Sequence, residues 1–171
     1  MSAAAVELKA LLMTSPRLTL AAAESLTAGH VQARVAAVSG ASEYFLGGVT
    51  AYSLEQKVKL LGVNRAAAKN VDCVSAEVAA QMACGVCALF GSDVGVATTG
   101  YAEPNAKLKI AQPFAWWAVA RRVRGGKFLT RHGRVECPRA SRTDAQTIVA
   151  DAALAELVSL LRAVRGEKVE D

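Results

Sequence analysis

Apolar and polar positions fall into blocks along the chain, each with its own period. Val6, Leu8, Leu11 and Leu12 lie on one side of a helix over residues 4–13. The apolar run at 18–24 reads as a buried strand, and Val31, Val35 and Val38 give residues 27–38 a helical period. A loop at 39–42 precedes a short strand over Gly47–Tyr52. Ser53, Leu54, Glu55 and Gln56 form a capping box, whose hydroxyl satisfies a free N–H of the first turn. It opens a helix with Leu54, Val58 and Leu61 inward, closed by Gly62. Residues 64–72 are a connection or short helix, and Ser75 caps a helix running to Phe90. An apolar strand at 93–98 ends at Thr99 and Gly100, before a polar loop over 101–112 of a length that suggests function. Phe114–Val123 and Phe128–Val135 flank Arg124, Gly125 and Gly126, a hairpin signal. Thr143 to Gln146 is a second capping box, opening a helix with Ile148, Ala152, Ala155, Val158 and Leu161 as its core face. Strands alternating with helices, then a hairpin and a helix, predict an α/β fold. We expect a three-layer α/β/α sandwich around a mixed sheet, as one domain over residues 1–171.

An apolar content of 53% supports one well-filled core. Glu7 and Lys9 interrupt the first apolar stretch and Ser15, Pro16 and Arg17 end it, so a signal peptide is not expected. No stretch approaches the roughly twenty apolar residues of a membrane span, and a cytoplasmic protein with no membrane partner is expected. The net charge of +5 is local: eight basic residues fall between Arg121 and Arg142, opposed only by Glu136. Basic positions there alternate with Val123, Phe128 and Val135, as on a solvated hairpin, so nucleic acid is not the expected partner. Cys84 and Cys87 have C-x-x-C spacing but fall inside the stripe of Val78, Met82, Val86 and Leu89. With Cys73 and Cys137 they read as small buried hydrophobes, and no metal site or cofactor is expected.

The chemistry concentrates in Ala23, Glu24, Ser25, Leu26, Thr27, Ala28 and Gly29, where an apolar strand stops at two hydroxyls and a glycine before a helix. That order leaves Ser25 and Thr27 at a helix N-terminus, whose free N–H groups favour anions. A second strand-to-helix turn carries Ala51, Tyr52 and Ser53, with Lys57 one turn on. A serine and a lysine on two turns are the parts of a Ser/Lys hydrolase. Taken singly, Ser25 and Thr27 are helix caps, Lys57 is a surface lysine and Tyr52 a partly buried ring with a wet hydroxyl.

The run AESLTAG resembles the CinA carboxy-terminal domain family. So do residues 42–57, Leu61–Val63, Val74 and Ser75, Met82–Gly85 and Asp93–Gly100, in order and at family spacing. The resemblance implies a nicotinamide mononucleotide amidase that hydrolyses the carboxamide to the acid and ammonia without a metal. By carry-over, Ser25 is the nucleophile, Lys57 the base and Tyr52 is close to both. Thr27, Gly29, Thr99, Gly100, Glu103 and Arg142 fall at substrate-binding positions, with backbone N–H groups near Thr27 for the oxyanion. The family also implies a homo-oligomer, for which one ring of the pair Trp116 and Trp117 is expected to face outward.

The chain departs from the family pattern in three places. Thr27, Ala28 and Gly29 stand where the family has Thr-Gly-Gly. Residues 101–112 replace a glycine-rich loop, with Glu103 at a glycine position. Near the last helix one arginine, Arg142, is kept, and Gln146 or Thr147 stands where a second would be. Two functions are open: an amidohydrolase acting on nicotinamide mononucleotide or a related nucleotide, and an inactive paralogue binding a nucleotide or protein through the same pocket. A redox or metal module built on Cys84 and Cys87 is a third.

Overall fold

Five strands form one mixed sheet in this computed structural model, which describes residues 3–166. They are β1 (Leu20–Glu24), β2 (Phe45–Thr50), β3 (Val94–Tyr101), β4 (Phe114–Arg122) and β5 (Phe128–Glu136), in the order β2-β1-β3-β4-β5. β1 is parallel to both β2 and β3, while β4 and β5 continue the sheet antiparallel. The helices are α1 (Ala3–Met13), α2 (His30–Ala36), α3 (Leu54–Leu61), α4 (Arg65–Asn70), α5 (Ala76–Phe90) and α6 (Arg142–Gly166).

Alternate residues of β1 feed two cores. Leu20 and Ala22 join Leu8, Leu12, Val35, Leu154 and Leu157, from α1, α2 and α6. Ala21 and Ala23 join Leu61, Ala68, Met82 and Val86, from α3, α4 and α5. This is the three-layer α/β/α sandwich that the block pattern predicts, and it explains why β1 is apolar on both faces. The described elements make a single domain; residues 1, 2 and 167–171 of the expected span lie outside them.

Several elements differ in detail. α2 begins at His30 rather than residue 27, because Ala28 and Gly29 adopt left-handed φ values of 50° and 101° and form a turn. β2 ends at Thr50, so Ala51 and Tyr52 have left the sheet and their carbonyls are free to turn toward α3. On α1, Ala5, Leu8 and Leu12 are buried and Val6 is exposed. The inward face of α6 runs through Ala145, Val149, Ala153, Leu157 and Leu161, leaving Ile148 and Ala155 outside. Small alanines carry that face, which hides it from a pattern anchored on the largest side chain. The cap of α6 is Ser141, whose Oγ accepts from the Asp144 N–H at 3.2 Å; Thr143 lies within the helix. Neither tryptophan faces open solvent. Trp117 is only 6% exposed and lies across the sheet from Gly133, where a Cβ would come within 2.5 Å of its ring. Trp116 packs against the α5 core, since helices cover both faces of β4.

Gly85 sets how closely α3 can approach α5. A Cβ there would lie 2.1 Å from the Leu61 carbonyl oxygen, which is backbone and has no rotamer to give. Gly85→Ala is therefore expected to cost about 1–3 kcal/mol by overpacking. It should also lower any activity that depends on Lys57 of α3, read as a lower Tm together with a lower kcat.

Candidate active site

The cavity lies where the direction of chain connection reverses. β1 is the switch between β2 on one side and β3 on the other, and the carboxyl ends of such strands leave an open crevice. Ser25 and Leu26 follow β1, while Gly100 to Asn105 lie at and beyond the end of β3; together with α3 and the α4–α5 loop they line a cavity of about 400 Å³. A small molecule fits this volume.

Ser25 is pinned by its own N–H, which donates to the Thr98 carbonyl at 3.1 Å. Lys57 reaches it from α3, with Nζ 2.9 Å from Ser25 Oγ. The ammonium site is closed to solvent: Lys57 is 1% exposed, and Nζ also lies 2.8 Å from the Ala51 carbonyl and 3.3 Å from that of Tyr52. Burial lowers the Lys57 pKa, opposed by the nearby Cys73 and Asp72. A neutral amine has two hydrogens and one lone pair. As an ammonium, Nζ donates to Ser25 Oγ and both carbonyls; once neutral, with the carbonyls keeping its two hydrogens, its lone pair would face the Ser25 hydroxyl.

The sequence places Val58 inward, but Lys57 holds that position and Val58 is only partly buried. Positions 54, 57 and 61 share a helix face at spacings of three and four, and that spacing could have found it. α3 is started as expected, the Gln56 N–H donating to Ser53 Oγ at 3.3 Å.

Tyr52 contributes twice, in two places. Its carbonyl meets Lys57, but its ring is 53% exposed and its hydroxyl accepts from Arg142 Nη2 at 2.6 Å. Arg142 Nη1 donates to Glu103 Oε1 at 2.8 Å, so Tyr52, Arg142 and Glu103 form one chain across the mouth. Thr99 lines the cavity and is held by donating to the Cys73 carbonyl at 2.7 Å. Gly100 also lines it; a Cβ there would lie 2.4 Å from the Phe114 carbonyl oxygen.

Thr27 and Gly29 are not on the cavity. Thr27 is fully buried, with Oγ1 2.7 Å from Thr98 Oγ1. Nor is the start of α2 a free anion site. The Glu24 carboxylate, 0% exposed, accepts from the N–H groups of Gly29 (2.9 Å), Val31 (3.1 Å) and Gln32 (2.9 Å). The protein supplies its own anion there. The N–H groups of Leu26 and Thr27, beside Ser25, have no acceptor among the described residues. Gln146 donates to the Leu26 carbonyl at 2.9 Å and braces this turn.

Asp72, Cys73 and Tyr101 also line the cavity, and no sequence pattern singles them out. Asp72 and Cys73 adopt left-handed φ values of 49° and 61°. The Tyr101 hydroxyl donates to Asp72 Oδ2 at 3.0 Å, and burial with that carboxylate pushes its pKa up to about 12. Cys84 and Cys87 lie inside α5, and burial pushes the Cys87 thiol to about 11, so it stays protonated. Among the described residues no group of three His, Cys, Asp or Glu side chains could hold a metal ion, and no helix is long and apolar enough to cross a membrane. Four of the eight clustered basic residues have internal partners: Arg122 with Cys87 and Ser92 carbonyls, Arg131 with Glu156, Arg134 with Glu136 and Arg142 with Glu103.

The fold and site define an α/β domain with a buried serine–lysine pair at a switch-point cavity. The CinA C-terminal domain model matches residues 2–161, and the chain belongs to that family. A CinA-like protein of Picosynechococcus sp. is 51% identical over 87 residues, 51% of this chain and 21% of that protein. A putative competence-damage inducible protein of Moorella thermoacetica is 47% identical over 94 residues, 55% of this chain and 23% of that protein. The chain thus spans under a quarter of the length of these curated relatives. Among solved structures, a competence-damaged protein (CinA) superfamily protein from Enterobacter cloacae superposes with a TM-score of 0.80 at 26% identity, covering 94% of this chain and 91% of that one. A competence or damage-inducible protein from Enterobacter asburiae gives 0.79 at 26%, covering 92% and 96%.

Proposed function

We propose that this chain is an amidohydrolase acting on the carboxamide of nicotinamide mononucleotide or a related compound. Ser25 is the nucleophile and Lys57 the general base. The observation that supports this reading is the 2.9 Å separation of Lys57 Nζ and Ser25 Oγ, with the amine buried and its remaining hydrogens committed to carbonyls.

Ser25 Oγ attacks the amide carbon as its proton passes to Lys57 Nζ. The developing oxyanion is held by the spare N–H of Leu26, which lines the cavity beside Ser25. Collapse breaks the C–N bond, the Lys57 proton goes to the departing nitrogen, and ammonia leaves an ester on Ser25. Water then adds, giving its proton to Lys57, and the tetrahedral centre expels Ser25 Oγ, which takes that proton back. The products are the carboxylic acid and ammonia.

A binding domain without turnover is the competing reading, favoured by the Glu103–Arg142 pair across the mouth. The assay is ammonia release from nicotinamide riboside and from nicotinamide mononucleotide. Wild type should turn over at least one of them, and Ser25→Ala should abolish it, at least about 10³-fold, with an unchanged melting curve. Turnover surviving in Ser25→Ala would remove the serine from the mechanism; none in wild type on either compound would favour the binding domain.

A further inference from the structure

We infer that the site selects a cationic carboxamide without a phosphate, such as a pyridinium ribonucleoside, and that Glu103 sets this choice. The inference rests on the amidase reading for its chemistry, but its selectivity can be measured without turnover.

Four lining residues carry side chains that charge near neutral pH: Lys57, Arg142, Asp72 and Glu103. Lys57 is committed to the interior, where burial favours its neutral form. Arg142 is the remaining cation, and both of its terminal nitrogens are engaged, Nη1 by Glu103 and Nη2 by Tyr52. Apart from Lys57, whose Nζ is turned to Ser25 and two carbonyls, the lining holds one cation against two carboxylates. A phosphate dianion reaching the free N–H groups of Arg142 would sit beside the Glu103 carboxylate, which already offsets that guanidinium's charge. Both members of the pair are substantially exposed, so its own strength is small. Discrimination comes instead from the sign of the charge that meets the ligand, which like-charge repulsion makes unfavourable for an anion. A pyridinium ring meets the opposite balance: the Asp72 and Glu103 carboxylates, and the Tyr52 and Tyr101 rings that also line the cavity and can take a cation on their faces.

The two probes, nicotinamide riboside and nicotinamide mononucleotide, differ only in the phosphate. Ammonia release by the full chain should favour the riboside in kcat/KM by about tenfold or more, and calorimetry should give the same order in Kd. E103Q, or E103G as a second variant, frees Arg142 and should move both ratios toward the mononucleotide by about tenfold. Adding R142A to E103Q should remove that gain. A wild type that prefers the mononucleotide, or an unchanged ratio in both Glu103 variants, would overturn the inference. If neither probe releases ammonia, the amidase reading fails by itself and the binding ratio still decides this one; failure of the riboside to bind would also overturn it.

Discussion

Lys57→Met should fold normally and lose ammonia release by at least about 10³-fold, since the base and nucleophile act as a unit. Methionine fills a similar volume. It leaves the Ala51 and Tyr52 carbonyls short of a donor, but it also removes a buried amine, and these effects oppose each other. A net stability change within about 2 kcal/mol is expected. The pH dependence gives a second readout. Burial lowers the Lys57 pKa in the fold, while the unfolded chain keeps a value of about 10.4. The base works only when neutral, so kcat/KM should rise with pH through that lowered pKa. Between the two pKa values the unfolded state binds the extra proton, so stability rises with pH across the window and is lowest below the folded pKa. Urea melts of wild type and Lys57→Met at about pH 7 and about pH 10 should differ by this slope, which the variant lacks. Activity surviving in the variant, or matching slopes, would show that Lys57 is not a buried neutral base.

The layers of the fold were legible because they rest on local rules. The Ser53 and Ser75 caps, the apolar run of β1 and the hairpin at Gly125 and Gly126 each act within a few residues, and each is present. Rotation of the helices was less legible, because α6 buries Ala145 and Ala153 while leaving Ile148 outside. The pairing of Ser25 with Lys57 spans 32 residues: the two turns supply the parts, but family spacing is what joins them. From its own neighbours Lys57 reads as a surface lysine. The mouth of the cavity was least legible of all. Arg142 and Glu103 are 39 residues apart, and Asp72 meets Tyr101 across 29, on contacts that only the folded sheet brings together. Glu24 was missed for a different reason. An acid ending an apolar strand looks like a surface residue, yet the tight turn through Ala28 and Gly29 folds α2 back over it.

Glu24→Ala is the substitution expected to cost the fold most, about 3–5 kcal/mol against a typical total of 5–15. Three N–H donors lose their acceptor at once, Val31 in a buried position, and a cavity is left where the carboxylate was. At roughly 2–4 °C per kcal/mol for a chain of this size, Tm should fall by about 6–20 °C. Glu24→Gln keeps the volume and one accepting oxygen but turns an NH2 group toward backbone donors, so its loss should be intermediate, about 1–3 kcal/mol. The same bonds close the turn that carries Ser25, so activity should fall with stability in both variants. Ser25→Ala, by contrast, should lose activity alone, which separates a support of the turn from a participant in the chemistry. A Glu24→Ala protein melting within about 3 °C of wild type would mean that α2 is anchored by its apolar face, through Val31 and Val35, and that the buried carboxylate is dispensable to the turn.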